Sequence, residues 1–204
     1  MCNPDKVRFF DGIAARWDGW IDHEQQDRQL AEGLTLMGLR ADEVVLDLGC
    51  GTGSLTAVLL GKLGERGRVV AVDISPAMLA QARAKISDER VSWHVGDVCA
   101  LPVEDASIDR VLCYSVWPHF DDYAAAIREI ERVLRPGGQL HVWHLISRSH
   151  VNEVHAKADP AVAADVLLPA SDTARLLGEH GMVARALRDD AEGYLVTAYK
   201  EASR

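Results

Sequence analysis

Three near-adjacent glycines at the end of an apolar strand constrain this chain more than any other feature. The run Val45-Leu46-Asp47-Leu48-Gly49-Cys50-Gly51-Thr52-Gly53 delivers an acidic residue and a glycine turn to a strand's carboxyl end. Val69-Val70-Ala71-Val72-Asp73 follows at one strand–helix–strand interval. Glycine accepts the backbone conformations such a turn needs, lets the main chain approach a ligand, and leaves N–H donors near a helix start. A carboxylate ending the neighbouring strand can accept both hydroxyls of a ribose. The pair predicts an α/β sheet that holds an adenosine-containing cofactor at its carboxyl edge.

The spacing of the glycines narrows the cofactor. A dinucleotide site needs G-x-G-x-x-G, whose third glycine lets the helix pack close. Here G-x-G-x-G is followed by Ser54, Leu55 and Thr56, so the third glycine falls one residue early. The run resembles motif I of the class I S-adenosylmethionine (SAM) methyltransferases. Three later segments are similar to that family in order. Val95-Gly96-Asp97-Val98, leading into Leu101-Pro102, resembles its acidic loop. Ser107-Ile108-Asp109-Arg110-Val111-Leu112-Cys113 resembles its D-x-V/I fourth strand, and Leu134-Arg135-Pro136-Gly137-Gly138 its L-[KR]-P-G-G turn before strand five. Phe10-Asp11-Gly12-Ile13-Ala14-Ala15-Arg16-Trp17-Asp18 resembles the F-D-x-x-A-x-x-[YW]-D opening of the small-molecule and quinone C-methyltransferase branch.

The resemblance runs from Phe9 to Leu145. It implies a Rossmann-like, doubly wound seven-stranded sheet completed by a C-terminal antiparallel hairpin, with SAM as cofactor and a small molecule as acceptor. Asp47, Gly49, Gly51 and Gly53 would line the methionine and ribose side, Asp73 and Ile74 the ribose, Asp97 and Val98 the adenine, and Ser115 the methyl donor. Phe10 and Trp17 would lie near the methionine end; as core residues of a covering helix they read equally well. After strand four Val116-Trp117-Pro118-His119-Phe120 replaces the longer acceptor region of the quinone enzymes, which argues against a quinone and leaves a C, N, O or S acceptor open.

Length and composition agree with one domain. A chain of 204 residues, 48% hydrophobic and 26% charged, can bury a substantial core. No apolar stretch approaches the ~20 residues of a membrane span, and the N-terminus lacks the apolar core of a signal peptide. Cys2, Cys50, Cys99 and Cys113 show no C-x-x-C spacing, so a reduced, cytoplasmic setting is expected. A formal net charge of −9 without a basic cluster argues against nucleic acid as partner. Oligomeric state is not legible.

Periodicity supplies the helices. Ile13, Trp17, Trp20 and Ile21, then Leu30, Leu34 and Met37, recur at helical spacing and predict two N-terminal helices over the sheet's mouth. Leu55, Val58, Leu59 and Leu63 face inward after the glycine turn. Ser75-Pro76 is an N-cap with proline at the first helical position. Asp121 or Asp122 caps a helix bearing Tyr123, Ile127, Ile130 and Leu134, and Ser171 is expected to cap another. The expected organisation is a helical cover at 1–40, a cofactor core at 41–145, a lid-like insertion at 146–170, and a C-terminal helix and hairpin at 171–204.

The histidines are unusual. His119 lies just past strand four, His144 at the end of strand five, and His150 and His155 in the segment that follows, all near the edge where ligands of open α/β sheets bind. A neutral imidazole there can serve as general base or substrate contact. His119, His144 and His155 can also form a metal-ligand set, or each can be structural. His150 and His155 are five apart, ~140° round a helix, and do not make a local ligand pair. His141 falls on the opposite face of its strand from His144. Trp117 and Arg148 complete the acceptor-side candidates, Arg148 as a bidentate partner for a substrate carboxylate. A nicotinamide oxidoreductase would use the same strand-end carboxylate but leaves the early third glycine and the later segments unexplained. A non-catalytic SAM-binding module is the other alternative.

Overall fold

The computed structural model describes residues 3–202. Strands β1 (Val44–Leu48), β2 (Arg68–Asp73), β3 (Val91–Val95), β4 (Ile108–Tyr114), β5 (Leu134–His144), β6 (Met182–Asp190) and β7 (Gly193–Lys200) form one sheet in the order β3-β2-β1-β4-β5-β7-β6. The first five run parallel; β7 is antiparallel to β5 and β6 to β7. The expected doubly wound sheet with a terminal hairpin is therefore the fold. Strand order reverses between β1 and β4, and the crevice beyond their carboxyl ends is where such sheets bind ligands.

Helices α1 (Pro4–Trp17), α2 (His23–Leu36), α3 (Ser54–Lys62), α4 (Pro76–Lys85), α5 (Tyr123–Val133), α6 (Arg148–Ala156), α7 (Pro160–Ala163) and α8 (Ala170–Glu179) cover the sheet. Their starts follow side-chain chemistry: Asn3, Asp22, Ser75, Asp122, Ser147 and Asp159 each accept a backbone N–H of the first turn. Helix α8 departs from expectation. It begins at Ala170 after Pro169, so Ser171 lies inside it and caps nothing. Trp20 also departs: the chain leaves α1 through a 3-10 turn, Asp18–Trp20, and the indole is 63% exposed, edge-on to Trp17.

Two apolar clusters flank the sheet. One packs α5, α8 and Val151 of α6 on one face, and the other packs α2, α3 and α4 on the opposite face. Alternation along β5 serves both, with Leu140 and Val142 on the first side and Trp143 on the second. Strand β5 starts earlier than its apolar run because Arg135-Pro136-Gly137-Gly138 is taken up as an irregularity. Ile108 pairs with Leu134, and Arg110 already pairs with Gln139. Asp109 fastens this corner, accepting from Val44 N at 2.8 Å and from Arg135 Nη1 at 2.7 Å. The free cysteines Cys50 and Cys113 are buried among apolar residues, and Cys2 lies outside the described residues. Among the described residues no helix is long and apolar enough to cross a membrane.

One ion pair is fully inside. Arg110, 1% exposed, donates through Nε and Nη2 to both oxygens of Glu43 at 2.7 and 3.0 Å, and its Nη1 meets Gln139 and His141 Nε2. Burial, and then the guanidinium, push the His141 pKa down to about 3, so the ring stays neutral and accepts. Removing one partner strands a buried charge. Glu43→Ala should therefore cost ~3–5 kcal/mol of unfolding free energy, measured by urea denaturation. Loss of the exposed Arg135–Asp109 ion pair in Arg135→Ala should cost no more than ~1 kcal/mol.

Candidate cofactor and acceptor site

The glycine turn is held by backbone bonds before any ligand is considered. Gly49 N and Cys50 N both donate to Val72 O, at 2.8 and 3.1 Å, folding the turn against the end of β2. Asp73 completes the clamp: its Oδ2 accepts from Gly51 N and its Oδ1 from Ser75 N, each at 2.8 Å. Each oxygen keeps lone-pair capacity for a further donor. Gly49 and Gly51 have φ of +74° and +54°, in the left-handed region. Their surroundings differ. A Cβ on Gly49 would lie 2.2 Å from Val116 Cγ2, whereas one on Gly51 would meet nothing within 4 Å. Gly49 thus lets β4's continuation pack close, and Gly51 faces open space.

That space is a single cleft. Its walls carry Asp47, Gly49, Gly51, Asp73, Ile74, Asp97, Val98, Ser115, Phe10 and Trp17, and also His119. Of the cofactor candidates only Gly53 stands back, as the N-terminal residue before α3 with φ +89°, packed near Ile86 and Ala82. Ser115 is also left-handed, at φ +54°, with its N–H bonded to Trp143 O at 2.9 Å. This twist turns the chain out of β4 and places Val116 on Gly49. Gln26 of α2 donates to the Tyr114 hydroxyl, while its Oε1 is buried without a partner among the described residues. Asp97 Oδ1 accepts from Cys99 N at 2.9 Å and shapes the loop after β3.

Helix α1 closes the cleft through polar tethers. Asp11 Oδ1 accepts from Ser75 Oγ at 2.6 Å and from Ala77 N at the start of α4. Asp18 accepts from Thr52 Oγ1 in the glycine turn and from Lys85, both at 2.6 Å. Neither aspartate was singled out by sequence reasoning, although Asp11 and Asp18 are the two acidic positions of the opening motif.

The acceptor-side histidines separate. His119 Nδ1 lies 2.7 Å from Asp165 Oδ2, and Asp165 Oδ1 pairs with Lys6 Nζ at 2.9 Å. Lys6, 3% exposed, also donates to His119 O and to Asp121 Oδ1. His155 stacks at a tilt on His119, centroids 4.7 Å apart, with its Nδ1 2.7 Å from the Asp165 carbonyl. His144 does not reach the cleft. It is 2% exposed and edge-on to Tyr194, and burial, then His119 and His155, push its pKa down to about 3. Its face of β5 points it into the core rather than over the edge. The three histidines form no ligand set: among the described residues no group of three His, Cys, Asp or Glu side chains is placed to hold a metal ion.

Two further acceptor candidates are corrected. Trp117 is fully buried, stacked on Tyr123 at 5.4 Å and edge-on to Phe120, because the left-handed Ser115 turns it into the core. Arg148 donates through Nε to both oxygens of Asp189 at 3.1 and 2.9 Å, so it ties α6 to β6 and does not line the cleft. Lys6 and Asp165 are what sequence reasoning missed as site residues. Lys6 had a signal, since it lies one helical turn before Phe10 on the same face; Asp165 had none.

This sheet order, with a glycine turn at its switch point and a carboxylate ending the adjacent strand, defines the class I methyltransferase fold. Residues 46–142 match the family described as "Methyltransferase domain". The chain is 34% identical to the demethylmenaquinone methyltransferase of Lactococcus lactis, over 68% of this chain and 58% of that protein. It is 36% identical to a 37.1 kDa protein in transposon TN4556 of Streptomyces fradiae, over 67% of this chain and 38% of that protein. It thus spans less than two thirds of these relatives. A methyltransferase of Haloferax volcanii, solved in complex with the Trm112 methyltransferase activator, superposes with a TM-score of 0.81 at 22% identity, covering 97% of this chain and 98% of that one. Residues 46–142 thus form a methyltransferase domain of the class I, SAM-dependent kind.

Electrostatics at the turn give a pH test. Burial pushes the Asp47 pKa up to about 7, against the hydrogen bond from Thr56 Oγ1 at 2.6 Å, and Asp73's charge adds to the rise. A carboxyl whose pKa is higher folded than unfolded stabilises most when protonated, and that contribution is lost as pH rises from about 4 through about 7. Asp47→Asn should remove this loss. The difference in stability between variant and wild type, from urea titrations, should grow across that window in the variant's favour, by on the order of a few kcal/mol.

Proposed function

We propose that this chain transfers the methyl group of SAM to a small-molecule acceptor bound in the same cleft. The observation that carries the reading is the continuity of that cleft. Asp73, Gly51 and Asp97 line it together with His119, Phe10 and Trp17, and Phe10 meets the His119 ring edge-on. The empty Cβ position at Gly51 and the unpartnered Gln26 Oε1 fit a polar ligand laid against the turn. SAM supplies a sulfonium methyl already activated for displacement, so the chain's own residues have to align the acceptor and exclude water.

On this reading Asp73 receives the ribose hydroxyls with the lone pairs its backbone bonds leave free. Asp97 and Val98 border the adenine, Asp47 and Ser115 the methionine portion, and Phe10 and Trp17 shield the reacting centre beneath α1. The single-domain organisation follows: 1–40 as cover, 41–145 as cofactor core, 146–170 as a cap that brings Asp165 to His119, and 171–204 as helix and hairpin. The names of the demethylmenaquinone methyltransferase relatives support a small-molecule acceptor, and the net charge of −9 disfavours nucleic acid.

S-adenosylhomocysteine (SAH) binding by calorimetry, beside transfer of labelled methyl from SAM to a panel of phenols, enols, thiols and amines, tests the proposal. Binding with transfer to at least one acceptor is expected. Absence of both overturns it, and binding without transfer leaves a SAM-binding module. Gly51→Ala should stay folded at a cost of ~1–2 kcal/mol for a side chain at a left-handed φ, and should weaken SAH at least tenfold, ~1.4 kcal/mol, because the new methyl occupies the open side of the turn. Equal affinity would place the ligand elsewhere.

A further inference from the structure

Asp165 is the meeting point of three elements. Its two carboxylate oxygens take His119 Nδ1 and Lys6 Nζ, and its carbonyl takes His155 Nδ1. Burial raises the carboxyl, and the bonds from His119 and Lys6 outweigh it and hold the pKa below the ordinary value. An ionised carboxylate accepts only, so the proton shared with His119 belongs to Nδ1. The same logic at the Asp165 carbonyl fixes His155 as an Nδ1–H donor. His119 lines the cleft, and its Nε2 takes no hydrogen-bond partner among the described residues.

Resting on the methyl-transfer reading, we propose that Asp165 is a positioning residue that locks His119 with a bare Nε2 toward the cleft, making this site one for acceptors that carry a phenolic or enolic O–H. A thiol ionises in part unaided, with a pKa of about 8.5, whereas a phenol near about 10 gains more from a placed base. Phe10, edge-on to the His119 ring at 5.1 Å, and Phe120 in the cleft wall provide an apolar surround suited to a ring. In the step, the acceptor's O–H bond breaks and its proton passes to Nε2. The oxygen's electron pair forms the bond to the methyl carbon, and the methyl–sulfur bond breaks with its pair remaining on sulfur. The imidazolium formed lies against the Asp165 carboxylate until its proton is lost to water.

A tether and a positioning residue make different predictions. The charged and titratable groups around His119 are Asp165, which raises its pKa, and His155 and Lys6, which lower it, with His144 beyond them on β5. Burial outweighs the carboxylate and leaves the ring neutral near pH 7. In histidine-labelled protein saturated with SAH, two-bond ¹H–¹⁵N spectra should show wild-type His119 protonated at Nδ1 only. Asp165→Asn should lower the His119 pKa or mix its tautomers, and Lys6→Met should raise it. Shifts of opposite sign support the proposal. An unchanged tautomer and pKa in Asp165→Asn, with SAH still bound, overturns it while leaving the methyl-transfer reading intact. If Asp165→Asn does not fold, Lys6→Met decides: an upward shift supports the proposal and no shift overturns it. In the acceptor panel, transfer to amines or thiols but not to phenols or enols overturns the acceptor assignment, whereas loss of SAH binding by wild type counts against methyl transfer itself.

Discussion

The site depends on one carboxylate doing structural work before it meets a ligand. Asp73 bonds the backbone of the glycine turn on one side and the start of α4 on the other, so the ends of β1 and β2 and the entry to α4 form a rigid unit. Burial raises the pKa of this group, against the backbone bonds from Ser75 and Gly51 that favour its charged form. The result is a pre-formed wall. A ligand donor finds the remaining lone pairs already aimed and does not have to order the loop.

A second anchor stands across the cleft. The Lys6 ammonium has three donors and three acceptors, on the 3-10 turn after β4, on the residue beginning α5's approach, and on the segment joining α7 to α8. A buried lysine so satisfied joins the N-terminal cover to both acceptor-side loops. Asn152 ties the ends of the 146–170 segment together, donating to Leu167 O and accepting from Leu167 N. That segment is thus braced within itself by polar bonds, with its Val151, Val162 and Leu167 buried.

What the sequence made legible was local, and what it hid was distant. The glycine turn, Ser75-Pro76, and the strand-end acids are read from neighbours within a few residues, and the sheet follows from their order. His119 and Asp165 are 46 residues apart, and Lys6 and His119 are 113 apart, so no spacing rule links them. Trp117 and His144 were misplaced for a different reason. Residue order put both at the sheet's carboxyl edge, but the direction of each side chain was set by one left-handed residue and by strand alternation. Arg148 had a partner in Asp189 that only the hairpin's return brings within reach.

The cover helix α1 fully buries Lys6 and Ala14, half-buries Val7, Phe9, Phe10, Ile13 and Trp17, and is held by Asp11 and Lys6, with Asp18 just past its end, through directional polar bonds. Lifting such a helix would expose that apolar row as well as break the polar bonds, and apolar exposure is what gives unfolding its heat-capacity increment. The roof is therefore fastened in two ways that respond to different conditions, its apolar row to temperature and denaturant and its carboxylate and ammonium bonds to pH and salt.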